Sequence, residues 1–195
     1  MAQIGAGHGG DRKGENPSHG LRTPLEGGPV AHWSDTQPVA APLELIQPTV
    51  PSQWVDYNGH MSESCYLMAF GDQSDAFFRL IGIGEEYRAG GHSLYTVQTM
   101  ISNLAEAHLG EALKLTLHVL DADEKRLHIF HSMFSAVSGA LLATGEQMLV
   151  HVDTAAGRSV PMPADLLHRV MAIRAAHSGL AKPAQAGRAI GIVRN

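Results

Sequence analysis

The segment Trp54-Val-Asp-Tyr-Asn-Gly-His-Met-Ser-Glu-Ser-Cys-Tyr66 gathers an acid, an amide, a glycine and an imidazole into five positions, 56–60. A helical pattern follows at once. Ser62 is a favourable N-cap, and Glu63 places an acid in the first turn. The segment admits two readings. In the first, Asp56, Asn58 and His60 form a hydrogen-bonded entry loop, since Asp and Asn are ordinary turn formers. In the second, they do chemistry. The first amides of a helix have no intrahelical partner and sit at its positive dipole end, so they suit a developing oxyanion. A carboxylate beside them can attack a carbonyl or activate water. A carbonyl held between Asp56 and the backbone amide near Glu63 is then poised for acyl transfer, and Gly59 allows a substrate or another backbone to come close.

The elements that must position this loop are legible in the periodicity. From Ser62 to Ile81, the residues Tyr66, Leu67, Phe70, Phe77, Phe78 and Ile81 recur at helical spacing. Gly71, Ser74 and Ala76 would let the helix approach a sheet, and Gly82 and Gly84 end it. The period then changes to two. Residues 93–102, 112–121, 125–135 and 140–152 read as four strands with short gaps, which implies antiparallel neighbours. Leu113, Leu115, Leu117 and Val119 share one face. A short apolar stretch at 43–50 precedes the loop as a further strand, and a helix runs from Pro163 to about His177. The expected class is α+β, with one long helix against a curled antiparallel sheet. Three segments follow: an extension rich in Gly and Pro over 1–40, a folded domain over 41–179, and a loose tail over 180–195.

Composition narrows the partners. The chain has 195 residues, 44% of them hydrophobic and 17% charged, with a net charge of −5. No basic footprint calls for nucleic acid. No apolar run reaches the roughly 18 residues of a membrane span. The N-terminus shows no apolar secretory core, and the single cysteine, Cys65, allows no internal disulfide; both fit a cytoplasmic location. Cys65 reads as a small buried hydrophobe. The histidines show no HxH or HExxH spacing, and His128 and His131 fall on opposite strand faces, so no metal site is expected. No Gly-x-Ser-x-Gly elbow supports a serine hydrolase.

The stretch "PSQWVDYNGHMSESCYL" resembles the active-site loop and central helix of hot-dog-fold acyl-CoA thioesterases of the 4-hydroxybenzoyl-CoA thioesterase type. The likeness continues through "FGDQSDAFFRLIGI", "YTVQTMISNLAE", "LHVLDADEKRLHIFH" and "EQMLVHVDTAAGR". These stretches are similar to the betainyl-CoA thioesterases of carnitine degradation, a domain also found behind a carnitine dehydrogenase. The resemblance covers roughly residues 43–170. It implies the hot-dog fold, at least a homodimer with sites at the subunit interface, and hydrolysis of a short acyl-CoA, foremost betainyl-CoA to glycine betaine and CoA. Coenzyme A is then part of the substrate, and no other cofactor is implied.

By position, Asp56 matches the family's acidic residue, with a lean towards general base. Asn58 and His60 shape the site and orient water, and the amide at Glu63 polarises the thioester carbonyl. A trimethylammonium acyl end calls for aromatic faces; Trp54, Tyr57, Tyr66 and Tyr95 are the candidates. Lys125, Arg126 and Arg158 are candidates for the CoA phosphates. Three alternatives stay open: a thioesterase for another short acyl-CoA, a hot-dog enoyl-CoA hydratase, and a non-catalytic acyl-CoA-binding module. The hydratase pattern Asp-x-Asn-x-x-His is one residue longer than the Asp56, Asn58, His60 spacing here.

Overall fold

The structure, a computed structural model, describes residues 31–192. After a short 3-10 turn at Ser52–Trp54 come helix α1 (Glu63–Ile81) and a one-turn helix α2 (Glu85–Ala89). Strands β1 (His92–Asn103), β2 (Leu113–Ala122), β3 (Arg126–Ser135) and β4 (Leu141–Asp153) follow, then a two-residue β5 (Arg158–Ser159) and helix α3 (Ala164–His177). The sheet is antiparallel, in the order β1-β4-β3-β2, with β5 on β4. The long helix lies against one face of this sheet, which is the hot-dog arrangement.

Two expectations about strands need correction. Strand β2 does not neighbour β1; the nine-residue connection 104–112 crosses to the far edge, and β1 pairs with β4 instead. Only β2, β3 and β4 form a meander. Residues 43–50 do not form a strand either. They run along β2 through two isolated bridges, Leu43 with Leu117 and Thr49 with Ala112. Pro42, Pro48 and Pro51 cannot donate to a ladder, so the pairing stays broken. Helix α2 and strand β5 lie where the periodicity showed only connections.

Of the expected extension over 1–40, residues 1–30, with His8 and His19, lie outside the described residues. Residues 31–40 touch the folded part. Trp33 and Val39 pack against the core cluster of Phe77, Ile81, Leu117 and Val170, and His177 Nε2 meets the Ala40 carbonyl at 3.0 Å. Near the other end, Gly187 N donates to Glu146 Oε2 at 2.8 Å.

Helix α1 ends as a glycine-capped helix should. Gly82 is left-handed at φ 99°, its amide reaches Arg79 O, and Ile83 N reaches Phe78 O at 2.8 Å. Arg169 Nη1 closes over the same end, donating to Ile81 O at 2.9 Å. Leu113, Leu115, Leu117 and Val119 all point into the core.

The close approach of helix to sheet is not made by Gly71, where an added Cβ would meet nothing. It is made from the sheet side. A Cβ on Gly145 would lie 2.8 Å from Phe70 Cδ2. Gly145 sits opposite His131 in the β3–β4 register, and the Phe70 ring stacks on His131 at 5.2 Å. Around that imidazole is a buried polar network. Ser74 Oγ and Gln147 Oε1 each lie 3.2 Å from its Nε2, and the Gln73 amide lies 2.9 Å from its Nδ1. A neutral imidazole donates from one nitrogen only. Nε2 donating to Gln147 therefore leaves Nδ1 to accept, which it can do when Gln73 presents its nitrogen. That orientation also gives a partner to Gln73 Nε2, otherwise buried without one.

Burial holds His131 at about 4, far below its ordinary value. The unfolded chain takes up this proton at about 6.5, the native chain only near 4. Stability is therefore lost as pH falls through that window, by about 3 kcal/mol at its full extent. His118, His151 and His177, lowered by burial as well, add the same sign. Urea unfolding followed from pH 7 to 4.5 should show this loss, and a His131→Gln variant should show a shallower slope. Gly145→Ala should cost about 1–3 kcal/mol in the same assay at pH 7, because Phe70 must leave its rotamer or the helix must shift.

Candidate active site

The loop 54–61 folds back on itself before α1. Asp56 N donates to His60 O at 3.0 Å, Gly59 N to Asp56 O at 3.0 Å, and Ser62 N to Trp54 O at 2.8 Å. Gly59 has φ 80°, a left-handed turn that a side chain would strain. The loop is clasped by the crossing connection: Met61 N donates to Ala107 O at 2.8 Å, and His60 and His108 form an isolated bridge. Below them Tyr66 is buried, and its hydroxyl accepts from Ala107 N at 3.2 Å. Burial pushes the Tyr66 phenol above its ordinary value, and the Glu111 and Glu106 carboxylates act in the same direction.

These two segments wall a cleft of about 350 Å3 lined by Asp56, Asn58, His60, Met61, Glu63, Tyr66 and residues 103–106. The two oxygens of Asp56 are differently placed. Oδ1 accepts from Asn58 N at 2.8 Å, closing an Asx turn, and Oδ2 has no partner among the described residues. One oxygen therefore fixes the carboxylate and the other is left to work. The Ser62 side chain makes no capping bond, so the Glu63 and Ser64 amides at the start of α1 have no partner among the described residues. A carboxylate and a set of free donors thus border one cleft, as the chemical reading of the loop requires. His60 Nε2 lies 3.1 Å from Glu106 Oε2 on the opposite wall.

A model of the Thioesterase-like superfamily matches residues 50–170. The chain belongs to that superfamily. The betainyl-CoA thioesterase of Pseudomonas aeruginosa PAO1 is 40% identical to it over 77% of this chain and 95% of its own. The L-carnitine dehydrogenase/betainyl-CoA thioesterase of Rhizobium meliloti is 49% identical over 78% of this chain. The matched part is 31% of that longer relative, so the chain spans about a third of it. Among solved structures, the Staphylococcus aureus protein SAV2348, determined in complex with CoA, superposes with a TM-score of 0.74 at 26% identity. That superposition covers 79% of this chain and 98% of SAV2348.

Other thioesterase candidates fall elsewhere. The four aromatic residues do not come together within one chain. Trp54 is core, packed in the cluster that holds Met61, Tyr66 and Phe70, and Tyr57 is 98% exposed on the turn tip. Tyr95 lies half-exposed on β1 and does not line the cleft. Only Tyr66 does. Lys125, Arg126 and Arg158 also sit away from it. Arg126 is bound by Asp123 at 2.5 Å, which holds that carboxyl at about 2, and Lys125 lies 3.8 Å from Glu124. Arg158 is exposed on β5. Cys65 is a buried free thiol. Among the described residues, no helix is long and apolar enough to cross a membrane.

Sequence reasoning missed Glu106 and His108. They lie in a polar connection with no motif of its own, and only the crossing of 104–112 brings them to the loop. Tyr66 carries the clasp between helix and crossing connection. Tyr66→Phe should leave Ala107 N–H buried without an acceptor and cost about 1–3 kcal/mol, read as a lowered urea midpoint with an unchanged slope.

Proposed function

We propose that this chain hydrolyses a short cationic acyl-CoA, with betainyl-CoA as substrate and glycine betaine and CoA as products. The observation that carries the cationic preference is the charge of the cleft. Its lining includes Asp56, Glu63 and Glu106 and no Lys or Arg. Three carboxylates beside one imidazole favour a quaternary ammonium and disfavour a carboxylate or phosphate in the acyl position. The betainyl-CoA thioesterase of P. aeruginosa, which this chain covers almost end to end, supports the same substrate. The CoA complex of SAV2348 supports binding of the CoA moiety.

In the proposed reaction the thioester carbonyl lies against the free amides of Glu63 and Ser64. These stabilise the oxyanion as it forms. Asp56, held by Asn58 N through Oδ1, uses Oδ2 as general base towards water. Attack of that water on the carbonyl, followed by collapse, expels the CoA thiolate, which takes a proton. His60 borders the same space and orients the water.

The active form is proposed to be a homodimer in the cytoplasm. Strand β1 is twelve residues long and, among the described residues, pairs on one side only, with β4. Tyr95 and Val97 are exposed along it, Leu104 is exposed in the lining of the cleft, and Leu67 is exposed on α1. A long free edge with apolar side chains is a surface that a second copy would cover. Such a copy is also a natural source of the aromatic faces missing from this cleft.

The deciding experiment is thiol release from a panel of acyl-CoAs: betainyl-CoA, neutral acyl-CoAs of similar size and an enoyl-CoA. The expected outcome is rapid thiol release with a clear preference for betainyl-CoA. Asp56→Asn keeps the Oδ1 acceptor of the turn and should lower turnover by about 10²–10⁴-fold while CoA binding persists. Equal rates on the neutral acyl-CoAs would remove the cationic reading. Enoyl absorbance lost without thiol release would favour a hydratase, and binding without turnover would favour a non-catalytic module.

A further inference from the structure

Across the two walls of the cleft, beside Asp56, lies a group of side chains that the hydrolysis does not use as a set. His60, Glu106 and His108 each offer one ligand atom, and these atoms all lie within 4.8 Å of one another. His60 Nε2 and Glu106 Oε2 are already 3.1 Å apart. The His60 and His108 rings meet edge to face with centroids 5.0 Å apart. Two ligands of a tetrahedral zinc ion, each roughly 2.1 Å from it, are separated by roughly 3.3 Å. The first pair meets that spacing as it stands. The remaining pairs, within 4.8 Å, need a closure of at most about 1.5 Å, which side-chain rotation supplies. The backbones are already held: the His60–His108 bridge and the Met61 N to Ala107 O bond fix the two segments against each other. The ligands are thus preorganised by contacts that do not involve the ligating atoms.

From this arrangement we infer that His60, Glu106 and His108 bind a divalent transition ion of the zinc type, and that the bound ion shuts the cleft. Two imidazoles and one carboxylate are a donor set that zinc accepts and that magnesium, which prefers oxygen, does not. Three protein ligands leave a coordination position open, and Glu106 and His60 line the cleft, so that position faces the space the thioester needs. The ion also withdraws His60 from water and neutralises Glu106, removing part of the negative lining. The inhibitory consequence rests on the hydrolytic reading above; the binding of the ion does not.

The test separates the two. Metal-free protein is titrated with zinc against a chromophoric zinc indicator, and hydrolysis is followed by thioester absorbance, because a thiol readout is itself disturbed by zinc. His108→Ala removes one ligand and keeps the backbone bridge. The expected result is one high-affinity zinc per chain, an affinity at least about tenfold weaker in His108→Ala, and no comparable uptake of magnesium. Metal-free His108→Ala should hydrolyse as the parent does, whereas zinc should slow the parent and not the variant. Equal zinc affinity in the parent and His108→Ala, or an equal weakening in His128→Ala, whose ring lies outside the site, overturns the site. Zinc bound through His108 without slower hydrolysis overturns the closure of the cleft.

Discussion

The docking of Phe70 onto the bare backbone of Gly145 sets the position of everything else. Helix α1 shares its core with α3 and the sheet, and its distance from β4 is fixed where that ring meets a residue without a Cβ. The ring continues onto His131, whose imidazole ties Gln73 and Ser74 of the helix to Gln147 of the sheet. Aliphatic packing alone would let a helix slide or roll along such a surface. A buried imidazole with directional partners does not, since each displaced bond leaves an unpaired polar group in the core. The register of α1 is held in the middle, and its N-terminus is placed as a consequence.

What that N-terminus meets is the crossing connection. Because β1 pairs with β4 and not with β2, the chain must pass from one edge of the sheet to the other between Asn103 and Leu113. It passes beside the start of α1, and Tyr66, Met61 and His60 clasp it there. The strand order, which looks like a detail of topology, therefore builds the second wall of the cleft. The first wall is the tight turn at 56–60, in which backbone and Asp56 Oδ1 satisfy one another and leave Oδ2 and the first helical amides free. In a stable loop, unused polar groups are normally hidden or paired. Here they are displayed together at an open surface.

The sequence made the regular elements readable because their periods are driven by burial. The alternation from Leu113 to Val119 faces the core, and the spacing of Phe70, Phe77 and Ile81 marks the buried side of α1. Strand order was not readable, because a nine-residue connection does not say which edge it reaches. The failure at 43–50 has a local cause in Pro48, which interrupts an otherwise β-compatible run, and in Pro42 and Pro51, which flank it. Gly145 carried a signal that was passed over: a lone glycine in a strand pattern marks a close backbone approach, and Gly71 was credited instead. The loop residues Asp56, Asn58 and His60 and the helix start at Glu63 do meet at one cleft, since they are adjacent in sequence and need only a turn. Trp54 and Tyr57 are near neighbours in the same sense and Tyr95 lies further along on β1, yet burial and a turn tip separate the first two and the third does not line the cleft. Proximity along the chain placed the polar groups because the turn itself uses them, whereas nothing local forces the aromatic rings to converge.

The charge of the cleft constrains how an acyl-CoA can lie in it. In the proposed reaction the thioester end of the substrate meets Asp56, Glu63 and Glu106, while the nucleotide end carries several phosphates. A polyanion and an acidic cleft repel each other unless the phosphates stay roughly a Debye length away, about 8 Å at physiological salt. The pantetheine arm is long and uncharged, so the phosphates can remain outside while the thioester reaches in. On that reading Lys125, Arg126 and Arg158 are not needed at the cleft, where a cation would help the wrong end of the molecule. An acyl group with its own positive charge reverses the sign of the interaction at the reacting end alone. The acidic lining can then select among acyl groups while contributing little to the recognition of CoA common to all of them.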